Sequence, residues 1–153
     1  MFKVVALILA MTAAVNAQQK ACSASGTSPS EIQGFLGVHN KLRSSISGGT
    51  YVAKGKRMPA AKTPIPAMMS KNGQGEAASK AWEKEFQDYG WSDIKLTMAV
   101  FNSGVGHATQ MAWAKSTKLG CATALCQGDK QAITVCHYKD AGNMINGNVY
   151  EPK

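Results

Sequence analysis

The sequence predicts a single domain that mixes helices with strands. Three observations carry this: a capped helix start at Ser28-Pro29-Ser30-Glu31, a second helical stripe from Glu76 to Tyr89, and two apolar runs near the C-terminus separated by Gln127-Gly128-Asp129-Lys130.

Ser28 is an N-cap serine, Pro29 suits the first helical position and Glu31 completes a capping box. Ile32, Phe35, Leu36, His39, Leu42 and Ile46 then recur at three- and four-residue steps, an apolar stripe ended by Gly48-Gly49. Thr50 to Gln74 shows neither helical nor strand period, and Pro59, Pro64 and Pro66 break any long element there. A connection of that length without structure is unusual inside a compact domain.

The second helix, Glu76 to Tyr89, stops at Gly90 and carries Ala78, Ala81, Trp82, Glu85, Phe86 and Tyr89 on one stripe. Glu85 therefore lies on an apolar face, where an ionised carboxylate needs a partner. Ile94, Leu96, Met98 and Val100 alternate with mostly polar residues, the pattern of a half-buried strand. Asn102 to Gly106 reads as a turn into a helix that begins beside His107 and runs to about Ser116.

Leu119 to Cys126 and Gln131 to Tyr138 read as two strands of a hairpin. If Cys126 faces Gln131 across the intervening loop, Cys121 stands opposite Cys136. Directly opposed antiparallel residues lie about 4.5 to 5.5 Å apart at Cα, within disulfide range. Alternation turns Cys126 to the other face, toward a different partner.

The N-terminus reads as a secretory signal peptide over residues 1–17: Met1-Phe2-Lys3, an apolar run to Ala14, and small residues at Val15-Asn16-Ala17. No second apolar run approaches the roughly 20 residues of a membrane span. Cleavage would leave 136 of the 153 residues, room for one domain. Loss of Lys3 lowers the formal charge from +8 to +7, a balance that favours acidic glycans or anionic headgroups. The one basic cluster, Lys54-Gly55-Lys56-Arg57 with Lys62, lacks the interleaved aromatics of single-strand binders, so a solvated loop is preferred and nucleic acid is not expected.

Four segments together resemble the CAP superfamily of cysteine-rich secretory proteins, insect venom antigen 5 and plant pathogenesis-related 1 proteins. They are His39-Asn40-Lys41-Leu42-Arg43, Trp82-Glu83-Lys84-Glu85, the stretch from Gly106-His107 through Thr109, Gln110 and Trp113 to Ser116, and Cys136-His137-Tyr138-Lys139-Asp140-Ala141-Gly142-Asn143-Met144. Asp140 departs from the small, Pro, Arg or His residue usual at its place. The style is that of secreted nematode SCP-domain proteins of venom allergen-like type. The resemblance implies an α+β fold, a three-layer α-β-α sandwich, in a domain spanning 28–153 behind an extension at 18–27.

Between the first helix and Trp82 the family also carries a helix ending in cysteine, a Gly-His-Ser segment and a Gly-Glu-Asn segment. None is present here, and Glu76 is no substitute because it lacks the following Asn. The layout implies an internal loss of about 40 residues near 68–71. Metal-containing relatives hold zinc or a similar ion with two histidines and two glutamates. His107 and Glu85 would be the surviving half, short of the three or four protein ligands such an ion needs. By resemblance Cys126 has lost its usual partner, so the cysteine pairings expected are Cys121 with Cys136 and Cys22 with Cys126, the alternative for the latter two being free or intermolecular thiols.

No Gly-x-Ser-x-Gly elbow, phosphate loop, dinucleotide fingerprint or zinc-finger spacing is present. Cysteines in an exported chain serve mainly as disulfides. The function expected is a secreted, non-enzymatic protein that binds a lipid or sterol, a glycan or another protein. The family's sterol-associated loop corresponds to Met98 to Gly106, although its apolar residues are better read as an inner strand. The rivals are a metal-dependent secreted enzyme, which would need zinc at His107, and a truncated, defective isoform.

Overall fold

A computed structural model describes residues 22–25, 29–67, 69–70, 76–126 and 131–153. The expected signal peptide, the Ser28 cap, the 68–71 junction apart from Met69 and Ser70, and the Gln127–Lys130 loop lie outside the described residues.

The elements in chain order are β1 (Cys22–Ser25), α1 (Pro29–Ser47), β2 (Val52–Ala53), β3 (Lys56–Arg57), β4 (Met69–Ser70), α2 (Glu76–Asp88), α3 (Met98–Asn102), α4 (Gly106–Ala112), β5 (Lys118–Cys126) and β6 (Gln131–Lys139). Helix α1 buries Phe35, His39, Leu42 and Ile46, the stripe read from the sequence. It also buries Arg43, which periodicity assigns no partner. Gly49 ends the helix at φ +66°, and a Cβ there would lie 3.0 Å from the Ala60 Cβ, so glycine is required twice over.

The described part of the 50–74 connection is not structureless. Lys54 and Gly55 both take positive φ, the requirement of a tight two-residue hairpin turn, and join β2 to β3. Met58, Ala61 and Ile65 reach the main core without any regular period, anchored by irregular backbone. The basic cluster is engaged rather than merely solvated. Lys54 Nζ donates to the Asp88 carbonyl at the C-terminal end of α2, Lys56 Nζ to the Ser92 carbonyl, and Arg57 to the Gly49 carbonyl.

The expected strand from Ile94 to Val100 is corrected. Only its first half is extended, pairing with the C-terminal segment through Leu96 N–H to Gly147 O and Val149 N–H to Ile94 O. The Thr97 hydroxyl then accepts the Val100 N–H and caps α3, a local bond that overrides the apolar alternation. Helix α4 likewise ends at Ala112 rather than near Ser116, because Trp113 leaves helical geometry at ψ 111°.

Strand β5 is the centre of the sheet. One side pairs with all of β6; the other pairs antiparallel with β1 and parallel with β4. The β5–β6 register sets Cys121 opposite Cys136 and Cys126 opposite Gln131. Leu119 and Cys121, with Phe35 of α1, form a small core to which Trp82, Cys136 and Tyr138 pack. On the opposite sheet face Ala122, Ile133, Val135 and His137 are exposed. The main core lies among α1, α2, the β2–β3 hairpin, α4 and Val149-Tyr150. Mixed helices and small sheets of this kind make an α+β domain.

Candidate functional site: the Glu85–His107 cavity

The partner that Glu85 requires is the start of α4. Its Oε1 accepts from His107 Nδ1 at 2.6 Å, and its Oε2 accepts the backbone N–H groups of His107 and Ala108 at 3.0 and 3.1 Å. One carboxylate thus satisfies two of the free donors of a helix N-terminus and fixes an imidazole beside them. Glu85 is mostly covered while the His107 side chain is 64% exposed. Trp82, one turn earlier on α2, stacks on the imidazole at 5.5 Å between centroids and 5° between planes. The ring edge bearing Nε2 is the polar group left over.

These side chains open into a cavity of about 710 Å³, walled by Trp82, Phe101, Gly104 and Gly106 on one side and by Thr134 to Cys136 and Tyr138 of β6 on the other. Gln110 and Asn143 complete it, but their amides are engaged elsewhere. Gln110 donates to Ser116 Oγ and accepts the Gly142 N–H at 3.0 Å. Asn143 accepts the Thr109 hydroxyl at 2.8 Å and donates to Gly106 O at 2.7 Å. A Cβ on Gly142 would lie 2.6 Å from Trp113, so that position admits only glycine. Thr109, Gln110, Trp113, Gly142 and Asn143 therefore clamp the α4 segment to the segment after β6; they are scaffold around the cavity rather than reactive groups.

His39 stands away from His107, buried beneath the sheet. Its Nδ1–H donates to Phe35 O at 3.0 Å, which leaves Nε2 to accept the Tyr138 hydroxyl at 2.8 Å. Burial, with Arg43 nearby, lowers its pKa to about 4. Burial pushes the Tyr138 hydroxyl upward, beyond its ordinary range. His137 points from the exposed sheet face. Arg43, lowered to about 10 by desolvation, donates to the carbonyls of Pro66, Met111, Trp113, Ala114 and Ser116 and so closes the C-terminal end of α4. The sequence marked Arg43 only as part of a motif; its stripe position beside His39 was the available signal. Phe101 was assigned to a strand, and its place on the cavity wall follows from the Thr97 cap instead.

Among the described residues, no three His, Cys, Asp or Glu side chains converge as a metal-binding group. His107 Nδ1 is already bonded to Glu85, leaving one imidazole nitrogen where zinc needs three or four ligands. The residues present do not fit a resident zinc ion. Cys121 and Cys136 form a disulfide, Cys136 on the cavity side. Cys126 is also disulfide-bonded, and Cys22 is its Cα partner in the β1–β5 ladder.

A helix-capping Glu–His pair beside a sheet-edge cavity, clamped by two interlocked motifs, places the chain in a defined class. It belongs to the CAP family, described as the cysteine-rich secretory protein family, whose profile matches residues 11–138. The chain is 42% identical over 72 residues to venom allergen 5 of Rhynchium brunneum, a match covering 46% of this chain and 32% of that protein. It is 36% identical over 75 residues to pathogenesis-related protein PR-1 of Medicago truncatula, covering 48% and 40%. The chain thus spans well under half the length of these curated relatives. The crystal structure of NaASP2 with Zn2+ superposes with a TM-score of 0.71 at 30% identity, covering 86% of this chain and 90% of that one. Among the described residues no helix is long and apolar enough to cross a membrane.

Proposed function

We propose that this chain is a secreted, non-enzymatic CAP protein that acts by holding an apolar ligand in the cavity beside Trp82 and His107. The observation that carries this is the cavity's chemistry: about 710 Å³ walled by Trp82, Phe101 and Val135, with the polar groups of Glu85, Gln110 and Asn143 already bonded within the protein. A site of this size, whose lining side chains among the described residues are mostly apolar or already bonded apart from the outward His107 Nε2, suits a lipid or sterol tail better than a sugar. Secretion is supported by the signal-type N-terminus and by disulfide use. The loss of about 40 residues near 68–71, inferred from family layout, belongs to the same proposal.

Among the described residues no nucleophile is hydrogen-bonded to the His107 imidazole, whose Nδ1 is bonded to Glu85, and this disfavours enzyme chemistry. The Thr134 hydroxyl on the cavity wall is paired with the Thr123 hydroxyl at 2.8 Å. Zinc is a property of the NaASP2 crystal; in this chain half a ligand set argues against it.

The test is fluorescence titration of the secreted protein with a dansyl-labelled fatty acid, with total zinc measured on the same sample. The reading expects saturable binding of about one probe per chain without stoichiometric zinc. It expects about tenfold weaker binding in Val135→Asp, which puts a charge on an exposed strand position without disturbing the core. Non-saturable binding, or one zinc per chain lost in His107→Ala, would overturn it.

A further inference from the structure

The cavity meets β6 at its hydrogen-bonding edge. Thr134, Val135 and Cys136 all line it, although alternate residues of a strand point to opposite faces. A cavity touching both parities lies along the strand's rim. β6 pairs with β5 and with no other strand among the described residues.

The register tells which backbone groups are open there. Cys121 and Cys136 are 4.0 Å apart at Cα, the short spacing of a non-hydrogen-bonded antiparallel pair. Residues of such pairs turn their N–H and C=O away from the neighbouring strand. In this ladder they are Thr134, Cys136 and Tyr138, whereas Val135 and His137 bond to β5. The Lys139 carbonyl accepts the Thr117 N–H at 2.8 Å and so turns toward the β5 side, as the alternation through His137 and Val135 requires. The three residues with outward backbone groups are all cavity residues.

Charge adds a second, independent observation. Lys118 and Lys139 stand directly opposite each other at one end of the ladder, and neither takes part in an ion pair among the described residues. Like charges so placed repel, and an anionic group laid across them would relieve it.

From the open edge, the apolar wall beyond it and the paired lysines, we infer that the cavity takes an extended peptide as an added strand on β6. The peptide is apolar at its centre and acidic at the end over Lys118 and Lys139. Thr134 to Tyr138 offers three N–H and three C=O groups over about 14 Å, matching five residues of an extended chain. Backbone bonds supply affinity, and alternate side chains entering the wall of Trp82 and Phe101 supply selection. The inference rests on the proposed reading that this cavity is an apolar ligand site, and it adds a polypeptide strand along the β6 rim as a second occupant that competes with a lipid tail for the same wall.

The probe is a blocked heptapeptide of alternating valine and threonine with glutamate at both ends, titrated into the intact protein and followed by amide NMR. Two analogues carry N-methyl groups on one or the other alternate set of amides. The expected result is hydrogen-exchange protection at Thr134, Cys136 and Tyr138 and at least about tenfold weaker binding for one analogue, with about twofold or less for the other. Lys118→Ala with Lys139→Ala should weaken binding about fivefold. Equal effects of the two analogues, or binding without protection at those amides, would overturn the inference. Failure of the peptide while the dansyl fatty acid still fills the cavity would remove the strand-addition inference alone; failure of both would remove the cavity reading as well.

Discussion

Glu85 shows how one residue links sequence, fold and site. A carboxylate on an apolar helix face is costly unless paired, and here it meets three donors at the start of α4. Glu85→Ala should destabilise the fold by about 2 kcal/mol, while Glu85→Gln, which keeps an acceptor, should cost about half as much. Urea unfolding of the two variants checks this; equal losses would mean that the cap is not the source. His39 supplies a pH dependence. Its folded pKa of about 4 lies below the ordinary 6.5, so the fold holds the neutral ring and the unfolded chain takes the proton first. Stability should be complete above about pH 6.5, fall by about 3 kcal/mol as pH drops to about 4, and lose nothing further from this group below that. Arg43 and Tyr138 are the ionisable groups facing the ring. Removal of this slope in His39→Asn is the expected outcome, and an unchanged slope would assign it elsewhere. Glu85's need for a partner was legible because burial of charge is a local argument. That the partner was His107 was legible only through family resemblance, since the two are 22 positions apart.

At the scale of elements, the two long helices and the β5–β6 hairpin were legible because period and register act within a few residues. The β2–β3 hairpin was hidden because its strands are two residues each and its turn is Lys54-Gly55 rather than a stronger turn pair. Helix α3 was hidden because apolar alternation favoured a strand, while the single Thr97 bond decided otherwise. The bracing of α4 by α1 was also invisible, since the Arg43 guanidinium reaches backbone carbonyls 23 to 73 positions away. Lysine has three donors on a point charge and cannot reproduce that planar spread. Arg43→Lys should therefore cost about 3 kcal/mol in chemical denaturation. A loss below about 1 kcal/mol would show that the carbonyls find other donors.

At the scale of the molecule, the chain belongs to the CAP family and its cavity opens along a sheet edge lined by Val135, with Ile133 exposed on the same face of β6. The Cys121–Cys136 disulfide ties β5 to β6, Cys126 is also disulfide-bonded, and the β1–β5 ladder sets Cys22 opposite it at Cα. A non-reducing peptide map of secreted protein should return both links and no free thiol; a free or intermolecular Cys126 would contradict the β1–β5 pairing. Molecular function was legible only as a class, because ligand choice depends on a cavity assembled from α2, α3, α4 and β6. The measurement that tests the central claim most directly is an NMR titration of the isotopically labelled protein with the dansyl fatty acid. The account predicts a saturable one-site footprint confined to Trp82, Phe101, His107 and Tyr138. A footprint spread over Met98, Met144 and Ile145 on the outer surface, with those cavity residues unmoved, would contradict it.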